Sequence, residues 1–98
     1  MTKQTKPKPR PPLAVSPACE TRFIDQTAKR PARIKATHMN NRAMSVTVPW
    51  DGFEGIHTNH ERAAAALFER IEWGAEVEKH GLLACSVEGG GWVWMVRL

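Results

Sequence analysis

Cysteine is scarce in this chain: Cys19 and Cys85 are the only two among 98 residues, too few for a disulfide framework. They read as free thiols in a reducing compartment. Long apolar runs are missing too. The wholly apolar stretches, Ala63 to Phe68 and Trp92 to Val96, are far short of the roughly 20 residues that a membrane-spanning helix needs. The N-terminus carries lysines but no apolar stretch behind them, which argues against a signal peptide. The expectation is a soluble, cytoplasmic protein with no membrane partner. No internal repeat is present that would indicate a solenoid or propeller.

Acidic residues are absent from residues 1–19, which hold Lys3, Lys6, Lys8 and Arg10 and so carry the whole net charge of +4. Residues 20–42 hold six basic and two acidic side chains, and residues 43–98 hold four basic and eight acidic. The chain is therefore basic at its front and acidic from its middle onward, and the pI near 9.5 describes the tail rather than the domain. Five of the seven prolines also fall in residues 1–19. Proline locks φ and removes a backbone donor, so this segment is expected to be a disordered basic tail. Its Lys6-x-x-Pro9-x-x-Pro12 spacing formally matches a proline-rich ligand, although such spacings arise readily in proline-rich text. Residues 20–98 form the single small domain. At this size a domain buries only about 60% of its unfolded surface, so its margin of stability is thin.

The best-defined element is the helix expected over Thr58–Gly74, TNHERAAAALFERIEWG. Ala64, Leu67, Phe68 and Ile71 recur at helical spacing. Thr58 and Glu61 have the form of a capping box, and Gly74 stands where a left-handed C′ residue is wanted. Before the helix, Ile34, Ala36 and His38 alternate with Arg33, Lys35 and Thr37, and Met44, Val46 and Val48 alternate with Ser45 and Thr47. This predicts a hairpin. An odd loop around Asn40–Arg42 keeps one face apolar by pairing Ile34 with Val48, Ala36 with Val46 and His38 with Met44. Pro49 ends the second strand. After the helix come an acidic link over Ala75–His80, a third strand over Leu82–Val87, a turn at Gly89-Gly90-Gly91 and a fourth strand over Trp92–Leu98. The expected fold is α+β, a two-layer β-β-α-β-β arrangement with an antiparallel-rich four-stranded sheet and one helix on one face. One helix covers one face only. Phe23 and Ile24, a second copy or a partner must close the other.

Several stretches together resemble a family of small proteins of bacteria, phages and mobile elements to which no activity is assigned. They are TRFIDQT (21–27), PARIKAT (31–37), VTVPWD (46–51), NHERAAAAL (59–67) and GGWVWMV (90–96). The resemblance implies a compact domain over residues 21–98, and an accessory role such as countering host defences. It brings no catalytic residues.

Catalytic and metal constellations are weak. His57-x-x-His60 would be half of a zinc site, but His38, His80 and Cys85 are scattered rather than paired. Cys85 alternates with Leu83 and Val87 as a packed core position does, which leaves His80 nothing to activate. Glu69, Glu72, Glu76 and Glu78 show no paired-acid pattern. The glycine run precedes a strand rather than a phosphate-binding helix start. No catalytic residue, metal or cofactor is expected, and the protein is read as non-enzymatic. Its function is expected to be the binding of another macromolecule, either a protein partner or a second copy, with Trp92, Trp94 and Val96 as the partner or dimer face. The alternative is nucleic-acid binding through the tail and first hairpin, with phosphates meeting Arg22, Lys29, Arg30, Arg33, Lys35 and Arg42.

Overall fold

The computed structural model describes residues 16–98. The expected disorder and ligand-like spacing of the tail lie outside the described residues. The tail's expected boundary falls inside a strand. Strand β1 runs Ala18–Ile24 and is followed by β2, Arg33–His38, and β3, Ser45–Pro49. Helices α1, Ile56–Arg70, and α2, Gly74–His80, precede β4, Leu82–Val87, and β5, Gly91–Val96. The sheet thus has five strands and the domain two helices, where four strands and one helix were expected. All pairings are antiparallel and the order across the sheet is β3-β2-β1-β5-β4.

The hairpin keeps the expected register: Ile34 faces Val48, Ala36 faces Val46, and His38 N–H donates to Met44 O at 2.9 Å. The additional strand β1 lies between the two hairpins, pairing with β2 on one side and β5 on the other. Cys19, expected in the tail, is therefore a buried core residue, and burial pushes its thiol up to about 12.

Helix α1 lies over β1, β2 and β3. Its alanine run brings the helix close to the sheet, with Ala63 and Ala64 fully buried beside Leu67 and Phe68. The capping box does not form. The helix begins two residues before Thr58, with Gly55 as N-cap and no side-chain cap bond. Asn59 anchors this end instead: its Oδ1 accepts Asp51 N–H at 2.7 Å, and its Nδ2 lies at hydrogen-bond distance from the carbonyls of Asp51, Glu54 and Gly55. At the other end Trp73 N–H donates to Phe68 O and Glu72 N–H to Glu69 O, the 6→1 and 5→2 bonds of a Schellman motif. The left-handed residue is Glu72, at φ 69°, not Gly74, which opens α2. The acidic link is thus mostly helical. Among the described residues no helix is long and apolar enough to cross a membrane.

Candidate interaction surface

Strand parity divides the sheet into two unlike faces. Thr21↔Trp92 and Cys19↔Trp94 pair on the side under the helices, so Trp92, Trp94 and Val96 turn inward. Trp94 and Val96 are buried and Trp92 packs against the core. These three residues, expected on a partner or dimer face, are core. A strand apolar on both sides does not itself say which parity meets the helix. Val93 and Met95 are the residues of β5 that face the open side.

Phe23 and Ile24 do not close that side either. They form the end of β1 itself, and Phe23, by parity on the helix side, meets Trp50 edge-on at 5.1 Å. The open face therefore has no covering element among the described residues. On β4 and β5 it is apolar: Leu83 pairs with Met95 and Cys85 with Val93, and Leu83 and Met95 are each 42% exposed. Cys85, expected in the core, is exposed here.

On β1 and β2 the same face is charged. Arg33, Lys35 and Thr37 project from β2 beside Glu20 and Arg22 of β1. Glu20 accepts from Arg22 Nε at 2.7 Å and from Arg42 at 2.8 Å. The bond from Arg42, reinforced by Arg22, holds its carboxyl below the usual range against partial desolvation. Arg22 also reaches across the sheet to Gly89 O at 3.2 Å. The side chain crosses close over Gly91, where a Cβ would stand 3.1 Å from the guanidinium carbon of Arg22 and would push it aside by a few tenths of an ångström. A depression of about 300 Å³ lies among Glu20, Arg22, Ile24, Lys35, Thr37 and Arg42. Of the six basic candidates the fold gathers Arg22, Arg33, Lys35 and Arg42 on or beside one face. Lys29 and Arg30 lie exposed in the β1–β2 connection. Arg22 and Arg42 are already engaged by Glu20, which leaves Lys35 the least committed cation on the sheet.

His57 and His60, weighed in the sequence as half of a zinc site, have opposite environments. His57 is exposed and 3.9 Å from Glu61. His60 is buried with its Nδ1 2.7 Å from Thr21 Oγ1, which also accepts Trp94 Nε1–H at 3.0 Å. Burial, helped by His57, lowers the pKa of His60 and so favours the neutral ring; the tautomer decides whether Nδ1 accepts the Thr21 hydroxyl proton or donates its own to Oγ1. The three groups satisfy one another inside the core, and a reactant has no access to them. Among the described residues no three His, Cys, Asp or Glu side chains gather in a metal-holding cluster. A larger depression of about 590 Å³ lies between the two helices, with Glu69, Glu72 and Glu78 around Ala65, Ala75 and Val77. It has no nucleophile or base besides carboxylates.

Sequence reasoning missed Phe53 and Ile56. Phe53 is fully exposed at the tip of the loop before α1, and Ile56 is exposed beside it. An apolar residue set between two acidic-glycine turns, Asp51-Gly52 and Glu54-Gly55, is the signal that marks such a tip.

Compared with protein-family models, with curated proteins and with solved structures, the chain matches none of them. The molecule is defined by its architecture: a small α+β domain whose five-stranded sheet has helices on one face.

Proposed function

We propose that the protein is a non-enzymatic accessory factor that binds another protein through the open face of its sheet. The observation that carries this reading is the exposure of Leu83 and Met95 beside Val93 and Cys85, on a sheet face that no described element covers. A contiguous exposed apolar patch bordered by polar residues is the usual mark of a protein contact. Its border on β1 is the Glu20, Arg22 and Arg42 ion-pair cluster, with Arg33 and Lys35 one strand further on, so the partner surface that fits is an apolar patch with carboxylates set back from its edge toward Lys35. Such a factor suits the phage and mobile-element setting that the sequence resemblance implies, and it works in the cytoplasm.

The test is affinity capture from host lysate with wild-type protein, Met95→Asp and Lys35→Glu. Wild type retains a protein, Met95→Asp loses it while keeping its melting temperature, and Lys35→Glu holds it more weakly. A Met95→Asp variant that captures the same protein as well as wild type overturns the reading.

The second reading is nucleic-acid binding, favoured by the gathering of Arg33, Lys35 and Thr37 on one strand face with Lys29 and Arg30 at its end. Phosphate contacts by these cations give binding that weakens steeply with salt. A gel shift at two salt concentrations that shows no salt-sensitive complex eliminates it.

A further inference from the structure

The two edges of the sheet are β3 and β4, and their free backbone groups can be located from the ladders. In an antiparallel pair, hydrogen-bonded and non-bonded residue pairs alternate. Arg97 N–H donates to Gly81 O at 2.9 Å, in line with the β4–β5 register. The odd-numbered residues of β4 are therefore bonded to β5, and Leu82, Ala84 and Ser86 direct their N–H and C=O groups outward from the edge. No other described residue makes a backbone bond to those groups. The strand that carries them, LLACSV, has six residues with no charge, no proline and no glycine. Neither helix lies over its outer half, and Ala84 and Ser86 are exposed on the helix side as Leu83 and Cys85 are on the open side. Natural sheets ordinarily blunt such an edge with charge, proline, a bulge or a cover. Among the described residues this one has none of them.

We propose that β4 pairs with β4 of a second copy of this chain, antiparallel about a two-fold axis at Ala84, to make one continuous ten-stranded sheet. The occupant follows from the strand's own symmetry. The outward groups at 82, 84 and 86 are evenly spaced about Ala84. Self-pairing therefore sets Ala84 opposite Ala84, Leu82 opposite Ser86 and Ser86 opposite Leu82, and each outward N–H and C=O gains a partner. A strand without charge places no like charges opposite each other, which is the usual penalty for self-pairing. On the open face the register puts Leu83 opposite Cys85 of the second copy at two symmetric places. The apolar halves of the two copies then join into one band. The contact is small, so the expected dissociation constant is on the order of micromolar. The inference does not rest on the partner reading above, because Ala84 tests one and Met95 the other.

The experiment is sedimentation equilibrium of the full chain over a concentration series up to about 200 μM, well above the expected constant. Wild type shifts from monomer to dimer. Ala84→Pro removes an outward N–H without touching the β4–β5 ladder, as an edge strand tolerates; it is monomeric with an unchanged far-UV circular dichroism spectrum. Should that variant fold poorly, Ala84→Lys and Ala84→Glu serve instead: each alone is monomeric, and their equimolar mixture dimerises. Oxidised Leu83→Cys protein yields a covalent dimer, since opposed non-bonded residues have Cα atoms about 4.5 Å apart. A wild-type chain that stays monomeric throughout, or a dimer indifferent to both Ala84→Pro and Ala84→Lys, overturns the proposal. Failure of the Lys and Glu variants to pair with each other overturns the two-fold register.

Discussion

The two ends of the sheet are built differently. At the β3 end the edge is short and guarded. His38 N–H to Met44 O and Trp50 N–H to Ala32 O put the even-numbered residues of β3 in the ladder, so Ser45, Thr47 and Pro49 face outward. Pro49 has no N–H to offer, and its carbonyl accepts Arg62 at 2.9 Å. Helix α1 covers this end. At the β4 end the strand is uncharged, and from Leu83 to Ser86 it is exposed on both faces and along its edge. One end closes on itself and supplies stability, whereas the other leaves ladder groups and apolar side chains free for contact. Stability and interaction are thus separable by mutation.

The largest effect belongs to the covered end. Phe68 is fully buried between α1 and the sheet, and Phe68→Ala should cost about 3–5 kcal/mol. A domain this small has about 5 kcal/mol in total, so the variant should be largely unfolded by circular dichroism. Met95→Ala, on the bare end, should cost about 1 kcal/mol or less, since much of the side chain is already in water. Equal losses at the two sites in urea titrations would erase the distinction.

Next comes Thr21→Val, which keeps the shape of the side chain and removes its hydroxyl. Trp94 Nε1–H loses its acceptor and His60 Nδ1 its partner, and an orphaned buried group costs about 1–3 kcal/mol. Urea titration of this variant should show the loss with the fold retained. A neutral result would mean that the network does not join β1, β5 and α1 as the geometry implies.

The same network gives the covered end a dependence on pH. The folded-state pKa of His60 is lowered by burial and by His57, while the unfolded chain titrates near 6.5. Above that value the contribution is fully present. Below it the unfolded state binds more protons, so stability falls with pH until the folded pKa has been passed, and then levels off. Glu20, its pKa also lowered, adds a separate loss below the usual carboxylate range. Urea midpoints measured from pH 8 to pH 4 should show the first decline in wild type and not in His60→Gln. A decline of the same size in both would assign it elsewhere.

How far the sequence could be read follows the same division. The β2–β3 hairpin was legible to its register because parity and an odd loop are local signals, and Arg33 and Lys35 share a strand face with Thr37 as parity put them. Helix α1 was legible as a helix but displaced, because Thr58 and Glu61 imitate a cap while Asn59 holds the loop. Strand β1 was hidden. Thr21 is polar yet faces inward because its partners are His60 and Trp94, 39 and 73 positions away. No local pattern carries that. The inward turn of Trp92, Trp94 and Val96 depends on the same pairing with β1, as does the placing of Val93 and Met95 on the open face. Cys85 was misread because alternation with Leu83 and Val87 looks alike on a covered face and on a bare one.

The smallest expected effect lies at the joint that carries the chain from the covered end toward the bare one. Glu72 closes α1 in a left-handed conformation, φ 69°, where a side chain meets its own backbone at a cost of roughly 1–2 kcal/mol. Glycine adopts that conformation freely, but it also gains freedom in the unfolded chain, which returns about 0.4–1 kcal/mol. Glu72→Gly should therefore stabilise the domain by about 0.5–1 kcal/mol, read as a higher urea midpoint with the same slope. Because Glu72 is exposed and lies on neither the open face nor the β4 edge, partner capture and the dimer equilibrium should be unchanged. A gain in stability that also altered either would show that the joint sets the position of β4, and that the two ends of the sheet are coupled through it.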